Sequence, residues 1–231
     1  MNLPITEYKK ILFFCGEGLP FIIGLLLICI ALSLASLRWA NAFLILFCVI
    51  QWLLFFGCCY FFRDPERNVP LDPNVIVAPA DGKIINIRMM KEGSFLQEEC
   101  RRVSIFMNLF SVHVNRAPIA GTIKYTRYNP GKFISAFKEK ASLDNEQVGI
   151  GIVGNGEGKR NIRVFMKLIA GLIARRIVLW KGIEDNVAKG ERISLIKFGS
   201  RVDVYLPLRV DIKVKEGDWV KAGETIIGVI T

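Results

Sequence analysis

The chain has 231 residues and a formal net charge of +10, and 52% of it is hydrophobic. Its mean hydropathy of +0.37 is high for a soluble protein and implies a membrane segment. Cys15, Cys29, Cys48, Cys58 and Cys59 lie in or beside apolar runs and only Cys100 lies elsewhere, so no disulfide framework can be built; the adjacent Cys58-Cys59 pair lacks metal-site spacing, and no metal is expected.

Between Glu17 and Arg63 the only charged residue is Arg38. Residues 18–37 and 39–62 form two uncharged runs, each near the roughly 20 residues that cross a bilayer as a helix. A cleaved signal peptide would have a shorter apolar core and no second, longer span after it. Two core helices of a soluble protein would not be apolar on every face. The pattern predicts a membrane-anchoring helical hairpin over residues 1–62, either spanning the bilayer or re-entrant at its interface. Lys9 and Lys10 precede it, and Arg63 and Arg67 follow it. By the positive-inside tendency both ends lie in the cytoplasm, which puts the rest of the chain on the cytoplasmic face of the cell (inner) membrane. Lys9, Lys10 and Arg38 against Glu7 and Glu17 leave only one of the ten net positive charges to these 62 residues. The remainder is basic enough to suit anionic headgroups. Nucleic acid is the other common partner of a basic face, and a merely solvated surface is as common.

Residues 63–73 change character abruptly, with Pro65, Pro70 and Pro73 barring a continued helix. Short β-type runs follow at 75–77, 83–89, 102–107, 112–115, 122–128, 148–153, 161–169, 175–180, 193–197, 201–206, 210–214 and 225–230. Many alternate apolar and polar residues, as in Asn161-Ile162-Arg163-Val164. This predicts a mainly β domain over 63–231, a sandwich or barrel-like sheet.

Ala78-Pro79-Ala80-Asp81-Gly82-Lys83-Ile84 and residues 214–228 resemble the two halves of the barrel-sandwich hybrid fold of biotinyl and lipoyl carriers. Their glycines would hold turns at positive φ while valines and isoleucines fill a small barrel. A third copy of the pattern, residues 184–193, sits just before Gly199-Ser200.

The chain has one histidine, His113. A serine hydroxyl needs a base to act as a nucleophile at neutral pH, and an imidazole oriented by a carboxylate is the usual supplier. A lone histidine is also commonly a structural ring, and a Gly-Ser pair in a chain with 20 glycines is commonly a turn. Asp81 stands in an Ala-Asp-Gly turn, and Asp64, Asp72, Asp144 and Asp203 compete with it for the orienting role. Spacing alone brings none of them to His113.

Five motifs occur in order: Pro79-Ala80-Asp81-Gly82, His113-Val114-Asn115-Arg116-Ala117-Pro118, Ala141-Ser142-Leu143-Asp144-Asn145-Glu146, residues 169–177 with Arg175-Arg176, and Phe198-Gly199-Ser200-Arg201-Val202-Asp203-Val204. Together they resemble the phosphatidylserine decarboxylase proenzyme family in its short bacterial and archaeal form. The resemblance runs from about residue 63 to 231, and the hydrophobic hairpin is similar too. It implies that Asp81 is the orienting aspartate, His113 the catalytic histidine and Ser200 the self-cleaving serine. Longer members resemble His-x-x-His where this chain has His113 and Arg116. Asn108-Leu109-Phe110 replaces a Ser-Pro-containing run, and Ser194 stands where glycine is usual.

The resemblance further implies that Ser200, activated by His113, attacks the Gly199 carbonyl. The chain would split into a 1–199 β chain and a 200–231 α chain that stay associated, leaving a pyruvoyl cofactor at position 200. That ketone would serve as the electron sink when CO2 leaves phosphatidylserine, giving phosphatidylethanolamine without pyridoxal phosphate. Arg175, Arg176, Lys138, Lys140 and Arg163 are candidates for the lipid phosphate, each equally readable as a solvated strand-face charge. Membrane phosphatidylserine is the expected partner; a homo-oligomer is left open, and nucleic acid is not expected. The rivals are an inactive relative and a non-enzymatic membrane-anchored carrier or adaptor with the same barrel halves. A carrier needs a modified lysine at a hairpin tip, and an adaptor usually has a heptad-patterned insert, of which there is none.

Overall fold

The computed structural model describes residues 4–39, 41–131, 144–155, 162–171, 176–197 and 200–231. They fall into two compact units, Tyr8–Pro65 and Met1–Glu7 with Glu66–Thr231.

In the first unit a small β1 (Lys10–Ile11) and β2 (Phe14–Cys15) hairpin leads into α1 (Leu19–Trp39) and α2 (Ala42–Phe61). α1 carries no charge before Arg38, in its last turn, where a cation suits the negative helix end. Asn41 caps α2 by accepting the Phe43 N–H at 2.9 Å. Inside the hairpin Trp52 Nε1 donates to Ser33 Oγ (3.1 Å), and Ser33 donates to the Cys29 carbonyl (2.7 Å). These two side chains are thus paired within the hairpin. At 21 and 20 residues both helices are about 30 Å long, the thickness of a bilayer's hydrocarbon core. Both are long and apolar enough to cross a membrane, and Leu34, Leu37, Phe43 and Leu53 are exposed on them.

The second unit holds β3 (Val75–Val77), β4 (Gly82–Glu92), β5 (Glu98–Met107), β6 (Val114–Arg116), β7 (Gly121–Asn129), β8 (Gln147–Gly154), β9 (Arg163–Ala170), β10 (Ile177–Leu179), β11 (Asn186–Val187), β12 (Arg192–Ile196), β13 (Ser200–Pro207), β14 (Val210–Ile212), β15 (Trp219–Val220) and β16 (Ile226–Ile230). Eight of these form an antiparallel sheet in the order β11-β7-β8-β9-β13-β5-β4-β15. Register shifts at Ile84/Asn86 and Ile123/Tyr125 bend it, and it curls into a half-barrel. Two three-stranded sheets, β10-β12-β6 and β14-β16-β3, accompany it. The core between them includes Ile84, Ile105, Ile150, Met166, Val202 and Val204.

The expected barrel halves do pair. β15 pairs with β4 and β16 with β3, and the turns lock through Gly217 N–H to the Ile84 carbonyl and Gly223 N–H to the Ala78 carbonyl, both 2.8 Å. Gly217 (φ 95°) and Gly223 (φ 76°) take the positive φ their turns require. Gly82 serves differently: a Cβ there would lie 2.2 Å from the Phe106 carbonyl oxygen.

The compact unit that holds the two helices runs to Pro65. Asp64 N–H still bonds back to the Phe13 carbonyl (2.8 Å), which keeps residues 63–64 with the hairpin. Thr6 N–H donates to the Leu179 carbonyl at 2.9 Å, so the first described residues belong to the β unit.

Candidate functional site

β13 is buried along its whole length between β9 and β5. Its alternation sends Val202, Val204 and Leu206 into the main core. The other face is buried as well: Arg201 binds Asp203 through Nε (2.6 Å) and Nη2 (2.9 Å), and Nη2 also reaches Ser104 Oγ at 3.2 Å. Lys167 sits over the Tyr205 ring, its pKa pushed down by burial against the pull of Glu92 and Asp203. Ser200 heads this strand on the core side, opposite Met107 of β5 and Ala170 of β9. It is fully buried, and among the described residues its hydroxyl meets Met107 Sδ, at 3.1 Å.

His113 is equally buried. It closes the loop 108–113 that leaves β5 immediately after Met107. Its Nδ1 lies 2.9 Å from the Ser111 carbonyl. A carbonyl only accepts, so Nδ1 carries the proton, and in the neutral ring Nε2 keeps the basic lone pair. The His113 carbonyl accepts the Ile196 N–H at 3.3 Å. Ser200 follows Ile196 by four residues, so at most about 14 Å of extended chain separates them.

Asp81, the orienting aspartate that the resemblance implies, stands in the turn before β4. Its carboxylate takes Arg67 Nη2 at 2.9 and 2.7 Å and the Ala222 N–H at 2.7 Å. The Ser111 carbonyl is one partner of His113 Nδ1. Three of the four competing aspartates are also engaged: Asp203 with Arg201, Asp72 with the Asn74 N–H (2.9 Å), and Asp64 with the Tyr8 hydroxyl. Asp81 still connects to the site through the backbone, because neighbouring Pro79 accepts the Arg116 N–H at 2.8 Å and so fixes β6. Arg116 itself donates to the Gly190 carbonyl (2.9 Å), holding a turn whose φ is 79°. The departure at Ser194 is accommodated by Asn115, which donates to its hydroxyl at 3.2 Å.

Of the phosphate candidates, Arg176 is exposed just before β10 and at the same sheet end as His113. Arg163 starts β9, seven residues from Ala170 and so about 23 Å along the strand. Its guanidinium stacks on Phe95 and bonds that residue's carbonyl, so the structure does not bring it to Ser200. Arg175, Lys138, Lys140 and Gly199 lie outside the described residues. An apolar cleft of about 420 Å³ lined by Val69, Leu71, Ile119 and Ile230 includes none of Asp81, His113 and Ser200.

Sequence reasoning missed Glu146. Burial raises its pKa, against the hydrogen bond from Tyr128 and the charge of Arg176. Its carbonyl accepts the Ala170 N–H (2.9 Å), and Asn145 Nδ2 donates to the Ala170 carbonyl (2.7 Å). A protonatable carboxyl is therefore tied to the residue facing Ser200. The Asn145-Glu146 pair ended the third motif, and that was the available signal. The Ser111 carbonyl had none, being backbone.

A family model described as phosphatidylserine decarboxylase matches residues 54–228. A phosphatidylserine decarboxylase proenzyme of Desulfotalea psychrophila is 46% identical over 214 residues, covering 93% of this chain and 95% of that protein. Proenzymes of the same name from Geobacter metallireducens and Geotalea uraniireducens are each 42% identical, over 220 and 215 residues, with 93% and 95% of the two chains covered. The chain whose fully buried Ser200 heads a central strand therefore belongs to the phosphatidylserine decarboxylase family.

Proposed function

We propose that this chain is a self-processing carboxy-lyase that converts phosphatidylserine to phosphatidylethanolamine and CO2, with Ser200 as the self-cleaving serine and His113 as its base. The observation that carries the residue assignment is the buried Ser200 hydroxyl, whose only described partner is a weakly accepting thioether.

His113 Nε2 takes the Ser200 proton, and Oγ attacks the Gly199 carbonyl, moving that acyl group from nitrogen to oxygen. Loss of the Cα proton expels the Gly199 carboxylate and leaves an enamine at position 200; one water then releases ammonia. The residues present fit the resulting pyruvoyl group, since β13 pairs with β5 and β9 on both sides and keeps position 200 between Met107 and Ala170 after the chain is cut. Such a group supplies the electron sink for the pair left by departing CO2. His113 then delivers a proton to the substrate carbon. The Ser111 carbonyl holds the ring, and the Asp81–Arg67 pair holds the turn behind β6. Both pieces stay together because β13, β15 and β16 of the 200–231 segment pair with β5, β9, β4 and β3.

The two apolar helices fit membrane association, and Lys9, Lys10, Arg63 and Arg67 favour the cytoplasmic face of the inner membrane for the β unit. The test is CO2 release from phosphatidylserine by the purified wild-type chain and by Ser200→Ala. Wild type should release it and Ser200→Ala should not; equal release by both would end the proposal.

A further inference from the structure

A lipid substrate has to reach a buried serine, and one end of the β unit carries a surface suited to that. β6 and β10 both run antiparallel to β12. The loop 108–113 before β6, Arg176 before β10 and Lys197 after β12 therefore share one end of that sheet. The chain passes from Lys197 at this end to Ser200 in three residues.

The loop tip is Leu109-Phe110, 47% and 72% exposed. The side-chain oxygen of Asn108 accepts the Phe110 N–H (2.9 Å) and the Ser111 hydroxyl (3.2 Å), and its backbone carbonyl accepts the Ser111 N–H (3.0 Å). A fixed turn thus holds two adjacent large apolar side chains out in water, which favours any contact that covers them. Exposed Arg176 and half-buried Lys197 are joined beside it, Lys197 N–H to the Arg176 carbonyl at 3.3 Å.

We propose that Leu109 and Phe110 insert into the acyl layer of the bilayer while Arg176 and Lys197 meet its anionic headgroups, docking the site end of the β unit on the membrane. The proposal rests on the lipid-decarboxylase reading above. A bilayer suits the surface better than a protein does. Two side chains fall far short of the roughly 800 Å² per partner of a stable protein interface. An apolar wedge flanked by cations is what an anionic membrane surface holds. The same loop carries the Ser111 carbonyl that sets the His113 ring, so the inserted tip and the proposed base move as one piece.

The test uses the full Ser200→Ala chain, which cannot turn over, with vesicles of phosphatidylglycerol and phosphatidylcholine containing no phosphatidylserine. Benzoylphenylalanine at position 110 should photocrosslink to lipid at least about tenfold more than the same photophore at position 208. Leu208 is 41% exposed but lies at the far end of β13. Equal lipid yields at the two positions, or adducts to protein alone at 110, would overturn the proposal. These outcomes do not depend on decarboxylation, so they stand apart from the fate of the functional reading. With active protein, Leu109→Ser with Phe110→Ser should self-cleave normally and lose about tenfold on bilayer phosphatidylserine, with detergent-micelle turnover unchanged. An equal loss on both substrates would assign the tip to the support of His113 and reject docking.

Discussion

Ser200 and Met107 face each other across the β13–β5 ladder, the serine Oγ 3.1 Å from the methionine sulfur. A thioether binds a hydroxyl weakly, so the proton is available to a stronger base. Met107→Leu keeps the volume and should self-cleave near the wild-type rate, costing less than about 1.5 kcal/mol in unfolding free energy. Met107→Ala leaves a cavity beside the nucleophile and should cost about 2–5 kcal/mol. Denaturant unfolding in detergent and a gel time course measure both. Arrest of cleavage in the leucine variant, with the fold intact, would mean that the sulfur has a chemical role.

The lone imidazole is assigned two proton transfers. His113→Ala should lose on the order of 10²- to 10⁴-fold in self-cleavage rate. Arg116 stays protonated and is a poor base. Its buried bond to Gly190 makes Arg116→Ala destabilising by about 1.5–3 kcal/mol, yet that variant should still self-cleave. Normal maturation and turnover of His113→Ala would make the histidine structural.

Asp81 and Arg67 form a largely buried pair at 2.7 Å. Removing one partner strands the other's charge, so Asp81→Asn and Arg67→Ala should each cost about 3 kcal/mol and slow cleavage to a similar degree. If Asp81→Asn alone stops cleavage while Arg67→Ala matures normally, the carboxylate acts on His113 directly, as the family resemblance implies.

Glu92 accepts the N–H groups of Ser94, Phe95 and Leu96 at 2.7–2.8 Å. Burial alone would raise its pKa, but these donors outweigh it and hold the carboxyl below its ordinary value. A depressed folded pKa adds stability above the unfolded value and loses it as pH falls through the folded one. The Tm gap between wild type and Glu92→Gln should therefore be widest near neutral pH and close below about pH 4. A gap unchanged into acid would contradict that linkage.

Much of the fold was legible because its signals are local. The two uncharged runs became α1 and α2, and the alternation in Arg201-Val202-Asp203-Val204 became β13. Gly217 and Gly223 occupy the turns where positive φ was expected. What alternation could not reveal is that both faces of β13 are buried, because the Arg201–Asp203 pair satisfies its charges inside the protein. Ser200 and His113 were legible as residue types, and the structure adds their burial and the tautomer. The partner of Asp81 was not legible, since Arg67 lies in a proline-rich stretch whose course no periodicity predicts. A backbone acceptor such as the Ser111 carbonyl leaves no mark on sequence at all.

The central claim is that the bond before Ser200 is cut by Ser200 itself, leaving a ketone in place of its amine. Intact-mass spectrometry of the purified protein tests it most directly. Wild type should give a 1–199 chain and a 200–231 chain, the latter lighter by one NH3 than a fragment beginning with serine, while Ser200→Ala gives one full-length species. An uncut wild-type chain in active protein, a serine-ended fragment, or cleavage of the alanine variant at the same bond would contradict the account.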